Sequence, residues 1–299
     1  MRTCSTLLGA LCLVALSLAA ARAEQRNDLG PYGEEGAGTA TTPPAARRVE
    51  RDVAYGPDPA QRFDVYLPRR ATASMPVLFM VHGGAWLVGD NASAGVVDNK
   101  AAHWLPKGIV FISVNYRLSP KADPLGQADD VARALAAAQQ RAPSWGADPA
   151  RFVLMGHSAG AHLVALLSAD PAIAARQGAR PWLGTVELDS AALDLVAIMQ
   201  GRHLRFYDRV FKSDPSYWRA ASPLERLTGK PAPILAVCSS RRHDSCAHAQ
   251  EFVAKAKALG GRASVQPEAL THAEINKTLG QPGPYTDAVD AFLRSIGVP

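Results

Sequence analysis

Ser158 stands in Gly156-His157-Ser158-Ala159-Gly160, between an apolar run at Phe152 to Met155 and a second one at Ala161 to Leu167. The first run has the length of a buried strand and the second reads as a buried helix. Gly-x-Ser-x-Gly at a strand-to-helix turn is the sequence of a nucleophile elbow. Glycines at both ends let the backbone close more tightly than side chains would allow. Such a turn lifts the serine hydroxyl out of the sheet and aims a helix N-terminus at it. Backbone N–H groups there favour the negative charge that develops on an attacked carbonyl oxygen. The chemistry expected of Ser158 is therefore acyl transfer.

A serine hydroxyl needs a base to take its proton and a third group to orient that base. In a strand–turn–helix setting of this kind the order along the chain is serine, acid, histidine. Of the eight histidines, His272 follows the last strand-like run, in Leu270-Thr271-His272-Ala273, and is the expected base. The expected acid is Asp244, with Asp194 as the fallback. Asp244 is favoured because Cys238 and Cys246 flank its loop, and a disulfide between them would fix the acid relative to the sheet. The histidines do not pair with cysteines at zinc-site spacings, so no metal is expected, and no organic cofactor is required.

The oxyanion needs backbone donors. Ala159, the residue after the serine, is one. The turn His82-Gly83-Gly84-Ala85-Trp86 supplies the other, with Gly84 and Ala85 favoured and Gly83 an alternative. Trp86 and His157 are candidate substrate contacts. Arg117 is read as an ion-pair partner of Asp129 or Asp130 rather than a substrate ligand.

The elements that must position these residues follow from periodicity. Arg47 to Tyr55 and Gln61 to Leu67 alternate and predict a β-hairpin. Pro76–Val81, Ile109–Val114, the run before Ser158, Leu183–Leu188, Pro233–Val237 and Ala263–Gln266 predict further strands. Helices are predicted around 98–106, over 127–140 with Asp129 and Asp130 in its first turn, after Ser158, over 246–259 and over 288–296. Strands alternating with helices predict an α/β fold with a mostly parallel sheet and helices on both faces. Residues 194–229 break this rhythm with five aromatics and are read as a small helical cap. One domain over 47–299 accounts for the pattern.

Arg2, the apolar run Leu7 to Ala21 and Ala21-Arg22-Ala23 have the form of a cleavable signal peptide over 1–23, predicting export to a periplasm or beyond. Residues 24–46, rich in Gly, Ala, Thr and Pro, read as a flexible linker. With 47% hydrophobic and 20% charged residues the chain is not a disordered one. Its net charge of +5 contains no dense basic block, which argues against nucleic-acid binding, and no other run is long enough for a stable membrane span. Cys4 and Cys12 fall in the leader, leaving Cys238 and Cys246 as an even pair.

His82 to Trp86, Asn115 to Pro120 and Gly156 to His162 together resemble the α/β-hydrolase fold. Within it they are similar to carboxylesterases and lipases of the hormone-sensitive-lipase-like group, near kynurenine formamidases and feruloyl-type esterases. The resemblance covers about Val49 to the C-terminus. It implies a serine hydrolase acting on a small-molecule carboxylic ester through an acyl-enzyme, with arylformamidase as the alternative. Two departures stand out. Ala85 replaces a third glycine in the oxyanion turn, and the loop Ser239 to Cys246 does not follow the Gly-x-x-Asp pattern of the family's acid.

Overall fold

The computed structural model describes residues 38–69, 73–190 and 192–299. The signal-peptide reading of 1–23 and most of the linker reading of 24–46 lie outside these residues. The described end of the linker is not a loose tether. Thr39 bridges to Ser93, the Ala40 N–H donates to the Ala92 carbonyl, and the Ala40 side chain is buried. Composition alone misses this, because small residues held by backbone hydrogen bonds leave no apolar period.

Eight strands form one sheet in the order β1-β2-β4-β3-β5-β6-β7-β8. They are β1 (Ala46–Ala54), β2 (Arg62–Pro68), β3 (Met75–Val81), β4 (Val110–Val114), β5 (Ala147–His157), β6 (Gly184–Leu188), β7 (Ile234–Ser239) and β8 (Ala263–Glu268). The β1–β2 hairpin and the β2–β4 pair are antiparallel, and every other pair is parallel. Runs such as Val77-Leu78-Phe79-Met80-Val81 are fully buried because both faces are covered. Alternate residues serve different layers. Val77, Phe79 and Val81 join a core with Val131, Leu135 and Leu163, while Leu78 and Met80 join one with Val96, Trp104 and Leu293.

Those layers are built by α1 (Ala94–Trp104), α2 (Pro124–Arg141), α3 (Ala159–Ala169), α4 (Ala172–Arg176), α5 (Leu195–Gln200), α6 (Arg205–Phe211), α7 (Pro215–Ala220), α8 (Pro223–Arg226), α9 (Ser245–Ala258), α10 (His272–Thr278) and α11 (Pro284–Ser295). Helix α2 begins earlier than its apolar pattern suggests. Asp123 caps it by accepting from the Gly126 N–H, and Pro124 occupies the first turn. Asp130 is consequently not a first-turn residue. It is buried and takes two hydrogen bonds from the Arg117 guanidinium, at 2.8 and 2.7 Å. Helices α5 to α8 make up the excursion over 194–229 as four short pieces, too short for periodicity to reveal singly.

Parallel strands present their C-terminal ends on one edge. The turn after β3, Ser158 after β5, Asp189 after β6, the loop after β7 and His272 after β8 therefore converge there. This edge is where open α/β sheets hold ligands.

Candidate active site

Ser158 has φ 54° and ψ −116°, a left-handed value forced on a residue with a side chain, which costs ~1–3 kcal/mol. Steric crowding explains the flanking glycines. A Cβ at Gly156 would lie 2.3 Å from the Gly160 carbonyl oxygen, and one at Gly160 would lie 2.2 Å from the Val81 carbonyl oxygen. Two hydrogen bonds hold the elbow from either side: the Ser158 N–H donates to the Leu188 carbonyl at 2.9 Å, and its carbonyl accepts from the His162 N–H at 3.0 Å. Ala159 is the first residue of α3, so its N–H has no partner within that helix.

His272 is 4% exposed and opens α10, whose cap at Thr271 is a full capping box with Glu274. Its Nδ1–H donates to Asp189 Oδ2 at 2.6 Å. The Asp189 carboxylate is held on every side. The Ser239 N–H donates to Oδ1 at 2.8 Å, the Ser245 hydroxyl donates to Oδ1 as well, and Arg242 Nη1 donates to Oδ2 at 2.8 Å. Burial alone would push this carboxyl up, but the hydrogen bonds from His272 and Ser245 and the Arg242 charge hold it well below the usual range. Burial pushes the His272 imidazolium down, the Asp189 carboxylate raises it, and Arg242, 3.1 Å from Nδ1, lowers it; the net direction is down.

Asp244, the acid expected from sequence, is not at this position. Its side chain is 67% exposed and pairs with His243. The loop after β7 turns Ser239, Arg242 and Ser245 inward toward Asp189 and leaves Asp244 outside as the residue preceding α9. Asp194 does not reach His272 either. It caps α5, accepting from the Ala197 N–H at 3.1 Å. The carboxylate that does is Asp189, the first residue after β6, held at φ 56° with its N–H donating to the Val237 carbonyl. Its signal in the sequence is position: an acid immediately following the apolar strand beside the elbow strand. Burial pushes the carboxyl of Glu187, two residues earlier, up to about 8.

Cys238 and Cys246 lie with their sulfurs 2.01 Å apart, closing the loop that carries Arg242 and Ser245. The clamp expected to fix an acid thus fixes two of the donors that hold Asp189.

The turn after β3 takes three successive left-handed residues, Gly84, Ala85 and Trp86. At Gly84 a Cβ would meet the Val88 carbonyl oxygen at 2.1 Å, so only glycine fits. Ala85 and Trp86 line a small pocket of about 10 Å³ with Ser158, Asp189, Ser190, Ala192, Phe206 and Tyr207. Gly83 is absent from that lining, and its carbonyl accepts from His82 Nδ1–H at 2.7 Å. His157, a candidate substrate contact by sequence, is instead fully buried behind the site. Its ring packs 4.5 Å from that of His272, and its Nε2–H donates to the His272 carbonyl at 3.0 Å. Trp86 packs on Phe206, Tyr207 and Phe211, and its Nε1–H donates to His162 Nδ1 at 3.2 Å. His162 Nε2–H in turn donates to the Ala221 carbonyl at 2.7 Å, tying the elbow helix to the cap. Among the described residues no group of His, Cys, Asp and Glu is arranged to hold a metal ion.

Comparison with known proteins agrees with this architecture. Residues 63–176 match the BD-FAE family model. Esterase LipC of Mycobacterium tuberculosis is 30% identical over 82% of this chain and 65% of its own length. The isoprenylcysteine alpha-carbonyl methylesterase ICME of Arabidopsis thaliana is 32% identical over 40% of this chain, which spans only 27% of that relative. Among solved structures, a truncated carbohydrate esterase from gut microbiota superposes with TM-score 0.73 at 18% identity, over 87% of this chain and 99% of that one. Esterase B from Lactobacillus rhamnosis superposes with TM-score 0.68 at 18% identity, over 98% and 95%. At such identities the likeness is one of fold.

Proposed function

We propose that this α/β-hydrolase-fold chain is a carboxylic ester hydrolase working through Ser158, His272 and Asp189. The observation that carries the reading is the 2.6 Å bond from His272 Nδ1–H to Asp189, a residue that also lines the pocket at Ser158. With Nδ1 committed to Asp189, Nε2 is the nitrogen that takes the Ser158 proton. Ser158 Oγ attacks the ester carbonyl, and the Ala159 and Ala85 N–H groups bind the resulting oxyanion, with Gly84 giving the turn its close approach. His272 then protonates the departing alcohol, and water repeats the path in reverse to release the acid. The esterase relatives support the reaction class.

The Ser158 pocket has room for about one water, walled by Phe206 and Tyr207, so short acyl groups are the expected substrates. A panel of p-nitrophenyl acetate, butyrate and octanoate with N-formylkynurenine tests this. We expect kcat/KM for acetate to exceed that for octanoate at least ~10-fold, from the cost of displacing packed aromatics. Turnover confined to N-formylkynurenine would reassign the enzyme as a formamidase.

Arg242 contributes to the working pH in this reading. His272 is faced by Asp189, Arg242 and the buried His157, and Arg242 disfavours its imidazolium. Removing that charge in Arg242→Gln raises the His272 pKa. The acid limb of the kcat/KM profile then moves to higher pH, so activity is lost first on the acid side. An equal loss at all pH values would mean that Arg242 only holds structure.

Export of the chain through residues 1–23 belongs to the same proposal. It is supported by a Cys238–Cys246 pair suited to an oxidising compartment.

A further inference from the structure

Tyr207 has the Ser158 pocket on one side and a second, much larger cavity of about 470 Å³ on the other. This outer cavity runs between the Gly201–Leu204 turn of the cap and the loop entering α9. Its ionisable lining is mainly basic. Arg202 and His203 stand on the cap side, and Arg242, His243 and His248 on the other. The single carboxylate in the wall, Asp244, is already paired with His243. His203 is held toward its charged form by Asp208, at 3.0 Å.

Two further features border the cavity. His248 Nδ1 is buried without a hydrogen-bond partner. The fourteen-residue helix α9 starts at this cavity, and its first residue, Ser245, is in the lining, yet Asp244 makes no side-chain cap to its N–H groups. Two guanidinium groups from separate elements, Arg202 and Arg242, beside a helix start form a setting that accepts an anion.

We propose that the outer cavity is a subsite for a carboxylate carried on the alcohol side of the ester, so that the preferred substrates are short-acyl esters of acidic alcohols. The inference rests on the esterase reading. The small pocket at Ser158 receives the acyl group, the alcohol passes Tyr207, and its carboxylate meets Arg202 and the start of α9. Arg242 lies at the boundary, with one face in the cavity and Nη1 on Asp189.

The test compares 4-acetoxybenzoate with its neutral methyl ester, methyl 4-acetoxybenzoate, each rate normalised to that compound's hydroxide-catalysed hydrolysis. We expect the normalised kcat/KM of the charged ester to be at least ~10-fold higher, the scale of one charge-assisted contact. Arg202→Gln, a change at an exposed residue outside the catalytic set, should remove most of that preference through KM. It should leave the methyl ester unaffected. Equal use of both esters by the unaltered protein, or a preference that survives Arg202→Gln unchanged, overturns the subsite while leaving the esterase intact. No turnover of the methyl ester or of p-nitrophenyl acetate overturns the esterase reading and the subsite with it.

Discussion

Asp189→Asn lowers kcat for p-nitrophenyl acetate by about 10⁴-fold, whereas Asp244→Asn leaves it within about 2-fold. The difference follows from what each carboxylate touches. Asp189 accepts four hydrogen bonds, one of them from His272 Nδ1–H, and its side chain is fully buried. An amide there presents an N–H₂ group or a single oxygen to donors that need a carboxylate. With N–H₂ facing Nδ1, the imidazole turns to the tautomer whose Nε2 carries the proton and cannot serve as base. Arg242 is left beside the ring without its anion and depresses the imidazolium further. Asp244 lies outside, paired with His243, and its removal uncovers no buried charge. Steady-state rates of both variants, with thermal melting to verify folding, decide the assignment. Full activity in Asp189→Asn with loss in Asp244→Asn would reverse it.

Ser158→Ala is expected to abolish turnover, by about 10⁵–10⁶-fold in kcat, while the protein stays folded. Stability should hold because the substitution removes only a hydroxyl. Alanine takes the same left-handed backbone at the same cost, and the Ser158 N–H and carbonyl bonds to Leu188 and His162 are made by the main chain. Any residual rate reflects binding and oxyanion stabilisation by the intact turn. A melting temperature within a few degrees of the parent, beside a lost rate, separates chemistry from folding. A variant keeping more than a tenth of the activity would show that Ser158 is not the nucleophile.

Much of this arrangement is legible in the sequence, because it rests on local rules. Gly156 and Gly160 are imposed by contacts within the elbow and against β3, so the motif and its flanking apolar runs specify strand, turn and helix together. Apolar runs also give five of the strands, alternation gives the opening hairpin, and Ala263–Gln266 is read as a strand without an apolar run. The acid is different. Spacing limits it to a loop after a strand beyond the elbow, and both the β6 and β7 loops qualify. The cysteine pair draws attention to the β7 loop, but a clamp fixes whatever the loop carries, and here it carries donors. Arg242 and Ser245 give no sign in sequence that they face an acid some fifty residues earlier. His157 likewise reads as a substrate contact beside the serine, and only its ring contact and hydrogen bond with His272 show it to lie behind that residue. The start of α2 is missed because Asp123-Pro124 caps it ahead of the first apolar residue.

The central claim, that Ser158 is the nucleophile of an ester hydrolase, is tested most directly by covalent capture. A p-nitrophenyl alkylphosphonate delivers a tetrahedral phosphorus that an activated serine attacks, expelling p-nitrophenolate. Intact mass followed by peptide mapping should find one phosphonyl group per chain, on Ser158, with ester hydrolysis lost in proportion to labelling. An adduct on another residue, or an unlabelled Ser158 in a protein that has lost its activity, would contradict the account.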